Sequence, residues 1–108
     1  MCITTELVIL KSADGITKKE FIFIADGLEK NFHSKQPGFI DTELLYDEEN
    51  NLWIMIQHWE SLEQLKIASE KMFKDRAAEA FVKSLDPESV KMTIAPQIKL
   101  WKQNYETL

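Results

Sequence analysis

Apolar and polar positions alternate between two periods along this chain. Ile3 to Lys11 is rich in β-branched and aliphatic residues and reads as a strand. Ser12 to Gly15 is a polar break. Thr17 with Glu20 then forms a capping-box pattern, a helix start. Phe21, Ala25, Leu28 and Phe32 follow at steps of four, three and four. That spacing sets one apolar stripe along a helix of about four to five turns. Ile22, Phe23 and Ile24 make the stripe wider than a one-sided surface helix needs.

Gln36-Pro37-Gly38 closes the helical region. Phe39 to Tyr46 predicts a second strand and Leu52 to Trp59 a third. The polar run Asp47-Glu48-Glu49-Asn50-Asn51 between them is short enough to join antiparallel neighbours. Ser61 with Gln64 repeats the capping box and opens a second helical region, with Leu62, Leu65, Ala68, Met72 and Phe73 as its apolar positions. Asp75 can restart the helix, with Ala78, Phe81, Val82 and Leu85 facing inward. Asp86-Pro87-Glu88 is a break, Val90 to Trp101 a last strand, and Tyr105 sits in a short tail.

The order strand, helix, strand, strand, helix, strand suits an α+β, ferredoxin-like βαββαβ arrangement with a four-stranded antiparallel sheet. Pro96 has no N–H to give a ladder, which places the last strand at an edge or bulge. Helices cover only one face of such a sheet, and the other should turn polar if it meets water. Here Ile3, Thr5, Leu7 and Ile9 oppose Thr4, Glu6, Val8 and Leu10; Leu52, Ile54, Ile56 and His58 oppose Trp53, Met55, Gln57 and Trp59. Neither set is cleanly polar. The expectation is a homodimer with sheets packed face to face, each partner burying about 800 Å² as in an ordinary specific interface.

At 108 residues, the expectation is one domain over 1–108, with its core at about 3–101. The 44% hydrophobic share and only three Gly and three Pro exclude disordered and fibrous classes. A net charge of -5, with Arg76 the sole arginine, argues against nucleic acid and anionic membranes as partners. The single cysteine, Cys2, cannot form an internal disulfide. With no apolar run near 18 residues and no signal-peptide pattern at the start, a cytoplasmic protein is expected.

Few residues suggest chemistry. His58 is the candidate catalytic base, suited to a phenolic substrate, with Gln57 as a second polar group. A hydrogen-bonded strand-end histidine is the plainer role. Trp53 and Trp59, with Gln57 on the same strand face, form either a pocket wall or core packing; Phe73 and Phe81 share that choice. A ligand cavity is expected beside Trp59 and Phe73. His33 suits the dipole at the end of the first helix, and Trp101 a subunit contact. No metal-ligand spacing, Walker motif, Gly-rich nucleotide loop or nucleophile elbow occurs.

Gln36-Pro37-Gly38-Phe39, Trp53 through Trp59-Glu60-Ser61, the helix carrying Phe73 and Phe81, and Leu85-Asp86-Pro87 together resemble the antibiotic-biosynthesis-monooxygenase-like (ABM) family of dimeric α/β barrels. The resemblance spans about residues 3 to 101. It implies a ferredoxin-like subunit that dimerises through its sheets, with the last strand often reaching the partner, and a pocket between sheet and helices. Characterised members include cofactor-independent oxygenases of aromatic substrates and haem-degrading enzymes. The haem degraders carry an asparagine near the first strand and a tryptophan and histidine in the second helical region. This first strand has no asparagine, and Leu62 to Leu85 has neither tryptophan nor histidine, which argues against haem. The expected function is a cofactor-independent monooxygenase of a small aromatic substrate, without metal or organic cofactor. The alternative is a non-catalytic dimeric module for ligand binding or assembly.

Overall fold

The computed structural model describes residues 2–103. Its elements are β1 (Thr4–Leu10), α1 (Lys18–Asn31), a 3-10 turn (His33–Lys35), β2 (Phe39–Asp47), β3 (Leu52–Trp59), α2 (Leu62–Met72), α3 (Arg76–Lys83), a second 3-10 turn (Pro87–Ser89) and β4 (Lys91–Pro96). The four strands form one antiparallel sheet in the order β2-β3-β1-β4. This is the ferredoxin-like α+β architecture. Among the described residues, no helix is long and apolar enough to cross a membrane.

Local signals set the helix ends. The Thr17 hydroxyl accepts from Glu20 N while the Glu20 carboxylate accepts from Thr17 N, giving α1 a reciprocal cap. Ser61 caps α2 through Gln64 N, and Asp75 caps α3 through Ala77 N. The apolar stripe of α1 is buried from Phe21 to Phe32 against Leu10, Trp53, Met55, Ala78 and Phe81. Phe21 stacks on Trp53 with ring centroids 4.5 Å apart. The added breadth of that stripe points outward: Ile22 and Phe23 are exposed, Phe23 at 78%.

β4 is the edge strand that Pro96 requires, but it is shorter than the pattern suggests, ending at Pro96 rather than Trp101. Opposite Pro96 lies Thr4, the first residue of β1. Gln97 N donates to Ile3 O at 2.7 Å just past the end of the strand. Ile98, Leu100 and Trp101 are exposed beyond it. Tyr105 lies outside the described residues.

β2 carries a bulge between Phe39 and Asp41. Phe39 pairs with Trp59 and Asp41 with His58, so Ile40 is the extra residue. The bulge turns Thr42, Leu44 and Tyr46 toward the helices, with Gln57, Met55 and Trp53 as their cross-strand partners. It turns Asp41, Glu43 and Leu45 to the open face, opposite His58, Ile56 and Ile54. The middle of that open face is apolar, built from Leu7, Ile9, Ile54 and Ile56 with Leu45 and Leu52 beside them. Its border is polar, with Asp41, His58, Glu43, Thr93 and Lys91.

Candidate functional site

The helix-facing side of the sheet changes character along its length. At one end Val8, Leu10, Trp53 and Met55 pack in the main core. At the other end the inward positions are Thr4 and Glu6 on β1 and Gln57 and Trp59 on β3, all buried. The register sets Glu6 directly beside Gln57, and Thr4 beside Trp59. A second, small core of Trp59, Leu65 and Ala68, with Phe39 against it, seals this end under α2.

Two sequence motifs meet to build that seal. Gly38 O accepts from Glu60 N at 2.8 Å, joining the Gln36-Pro37-Gly38-Phe39 turn to the end of β3. Gly38 has φ +85°, and a Cβ there would collide with the Gln64 side chain, lying 2.8 Å from Gln64 Cβ. Only glycine lets the turn lie against the first turn of α2 in this way. Phe39 is thereby placed edge-on to Trp59, ring centroids 5.4 Å apart.

Glu6 is a carboxyl at 6% exposure. Trp59 Nε1–H donates to Glu6 Oε1 at 3.3 Å. Burial pushes the Glu6 carboxyl above the ordinary glutamate range; the Trp59 hydrogen bond and the charge of His33 work against that rise without cancelling it.

His33 comes from the 3-10 turn after α1. Phe32, fully buried, anchors the turn, and the His33 ring lies stacked on Phe39 and edge-on to Trp59, at 5.3 and 5.9 Å between centroids. His33 Nδ1–H donates to Glu29 Oε2 at 2.6 Å, one helical turn back. Gln57 Nε2 lies 3.4 Å from the same nitrogen. An Nδ1–H held by a carboxylate leaves Nε2 as the basic nitrogen of the neutral ring. The result is a cluster of buried Glu6, Gln57, Trp59 and His33 with the partly exposed Glu29 at its rim, drawn from β1, β3, α1 and the turn that follows it.

A cleft of about 340 Å³ opens next to this cluster, lined by Cys2, Thr4, Ser61, Leu62, Ile94, Ala95 and Pro96. Thr4 and Ile94 are the helix-face neighbours of Glu6, along its own strand and across to β4. The walls are mostly apolar, which suits an uncharged, flat molecule. Glu6 does not line the cleft; it lies behind Thr4 and Ile94, its carboxyl shifted by burial toward higher proton affinity. Among the described residues, no group of three or more His, Cys, Asp or Glu side chains is placed to hold a metal ion.

The side chains singled out in the sequence do not converge as a set. Gln57 and Trp59 lie in the buried cluster. Trp53 and Phe81 pack in the main core around Phe21. Phe73, the C-cap of α2, is 76% exposed and lines a shallow depression with Met72, Arg76 and Glu79. The depression at Phe73 and the cleft at Thr4 are separate, and neither is lined by Trp59. His58 is on the open face, where its Nδ1–H donates to Asp41 Oδ1 at 2.6 Å, so strand alternation separates it from Gln57. His33 sits in the turn directly after the end of α1 and is buried there. Sequence reasoning overlooked Glu6, His33 and Glu29 as a unit. The available signal was one carboxyl at an inward position of a strand, plus Glu29 and His33 at helical spacing.

The sequence pattern of the antibiotic biosynthesis monooxygenase family matches residues 15–84. No curated protein matches the chain. Solved structures do. A conserved protein from Methanosarcina mazei Go1 is 16% identical with a TM-score of 0.66, over 88% of this chain and 92% of that one. SnoaB, a cofactor-independent oxygenase from Streptomyces nogalater, is 14% identical with a TM-score of 0.65, over 96% and 99%. PA3566 from Pseudomonas aeruginosa is 15% identical with a TM-score of 0.62, over 92% and 97%. At such identities these structures bear on the fold alone. The family pattern covers well over half of the chain, and the turn, strand end and helix start it spans are those that enclose the Glu6–Trp59 cluster: the chain belongs to the antibiotic biosynthesis monooxygenase family.

Proposed function

We propose that the protein is a cofactor-independent monooxygenase acting on a small, electron-rich aromatic substrate, and that Glu6 is its base. The observation that carries this reading is the buried Glu6 carboxyl, held by Trp59 beside an apolar cleft. A phenol in the cleft gives its proton to Glu6. The phenolate carries its electron density at the para carbon, which adds dioxygen to form a peroxide. Glu6 returns its proton to the peroxide, and loss of one water, made from the outer peroxide OH and the ring hydrogen, gives the quinone and leaves Glu6 a carboxylate. Overall, a phenol and dioxygen give a quinone and water, with all four electrons supplied by the substrate. The SnoaB structure, described as a cofactor-independent oxygenase, is consistent with this chemistry on this fold.

The same reading assigns the apolar open face of the sheet to a second copy of the chain. A face of Leu7, Ile9, Ile54 and Ile56 bordered by charged groups has the composition of an ordinary protein interface. His58 and Asp41 then lie at the border of that contact rather than in the cleft.

The test is oxygen uptake with 1-naphthol and related phenols of one to three rings, no cofactor added. Expected is one dioxygen consumed per quinone formed, with kcat in Glu6→Gln lower by roughly a hundredfold or more. Turnover of every phenol at the buffer rate, with saturable binding in the cleft, would replace the enzyme by a ligand-binding module.

A further inference from the structure

Leu62, Ile94 and Pro96 give the cleft its apolar walls, and its polar side chains are those of Cys2, Ser61 and Thr4. The Cys2 thiol is a weak hydrogen-bonding group. The Ser61 hydroxyl is used twice to cap α2: it accepts from Gln64 N at 3.2 Å and donates to Gln64 Oε1 at 3.0 Å. Thr4 differs. It is 4% exposed, and its place in the sheet is fixed between Trp59 and Pro96. Among the described residues, no group is hydrogen-bonded to its hydroxyl. The Thr42 hydroxyl is also unpaired, but it is sealed inside the protein. Thr4 is instead part of the cleft wall, so the little surface it keeps faces whatever enters there. A buried hydroxyl without a partner is costly, and a ligand that supplies one removes that cost.

We propose that Thr4 Oγ1 is the polar anchor of the substrate, holding the phenol oxygen by a hydrogen bond while Leu62, Ile94 and Pro96 pack against the rings, so that Thr4 selects neutral hydroxylated aromatics. This rests on the reading of the cleft as the substrate site. A threonine hydroxyl both accepts and donates, so it can hold the phenol and then the phenolate. Thr4 and Glu6 lie on the same side of β1, about 7 Å apart along the strand. An oxygen held at Thr4 is therefore placed beside the residue that flanks Glu6. An aromatic without the hydroxyl would leave Thr4 Oγ1 desolvated and unpaired, which disfavours it. Among the described residues, the cleft is lined by no lysine or arginine. An aromatic carboxylate would lose its water there without gaining a counter-charge.

Binding under argon tests this without turnover. Equilibrium dialysis compares 1-naphthol, naphthalene and 1-naphthoate on the wild type, Thr4→Val and Thr4→Ser. The wild type should hold 1-naphthol roughly tenfold more tightly than naphthalene, and 1-naphthoate more weakly than either. Thr4→Val keeps the branched shape and suits a strand; it should bind 1-naphthol and naphthalene alike, with unchanged circular dichroism. Thr4→Ser should keep the preference for 1-naphthol. A wild type that does not distinguish 1-naphthol from naphthalene overturns the anchor whatever the variants do, and so does a Thr4→Val protein that retains the preference. Naphthoate bound as tightly as naphthol overturns the selection of neutral ligands. The base is tested apart from the anchor. If Thr4→Val loses the preference while Glu6→Gln turns over like the wild type, the anchor stands and the base is wrong. If Thr4→Val retains it while Glu6→Gln is inactive, the anchor is wrong and the base stands.

Discussion

Trp59 reaches from the end of β3 to Glu6 on β1, and its indole N–H donates to the carboxylate across 3.3 Å inside the helix–sheet layer. That bond is the main stabiliser of a charge in a place that disfavours charge. Phenylalanine at 59 would keep most of the ring and lose the donor. Glu6 should then titrate still higher. The fold should lose about 1–3 kcal/mol, more at neutral pH than at acid pH, because the ionised carboxylate needs the donor most. Urea denaturation at two pH values checks this; an equal cost at both would mean that ring volume, not the hydrogen bond, matters.

Glu6→Gln separates the charge from the shape. The folded state holds the Glu6 proton more tightly than the unfolded chain does. Between the ordinary glutamate value and the raised one, the native state therefore binds more protons, and stability declines as pH rises through that window. Below the window the contribution is fully present, and above it lost. Glutamine keeps an acceptor for Trp59 and removes the titration. At neutral pH the variant should be at least as stable as the wild type, with a flatter dependence through the acid range. Thermal melts across that range would contradict the account if Glu6→Gln were the weaker protein only at neutral pH.

Gly38→Ala tests the clamp over the same site. The substitution meets a left-handed backbone at φ +85° and the Gln64 side chain at once. It should cost about 1–3 kcal/mol in urea denaturation. Adding Gln64→Ala should return only part of the steric cost, since the variant keeps a Cβ 2.8 Å from the new one and the backbone strain remains. Full recovery in the double variant would show that φ carries none of the cost.

Much of this fold was legible because local chemistry and period agree. Thr17 with Glu20, Ser61 with Gln64, and the Phe21–Ala25–Leu28–Phe32 stripe each specify an element without tertiary information, and each forms as expected. The site was not legible, for two reasons. Both faces of β1 mix polar and apolar residues, so alternation alone does not say which face the helices cover, and Glu6 reads like any solvent-facing carboxyl. The bulge at Ile40 has no distinctive residue, yet it decides that Asp41 rather than its neighbour meets His58. The last strand reads too long because Ile98, Leu100 and Trp101 keep an apolar, strand-like pattern, yet β4 ends at Pro96 and these side chains are exposed beyond it.

The open face makes its own prediction. Ile56 sits at its middle, between Leu7 and Glu43 across the neighbouring strands. Ile56→Lys can satisfy its charge against Glu43 within one subunit while spoiling an apolar contact with a second. Sedimentation should show the wild type at twice 12.6 kDa and the variant at 12.6 kDa with unchanged circular dichroism. A wild type that stays at 12.6 kDa at micromolar concentration would remove the second copy from the account.

Titration of the Glu6 carboxyl in the unmodified protein, followed through its ¹³C side-chain resonance, addresses the site most directly and needs no substrate. A midpoint clearly above that of an exposed glutamate is the expected result. A midpoint at or below that of an exposed glutamate would contradict the account, leaving the cleft beside Trp59 without its base.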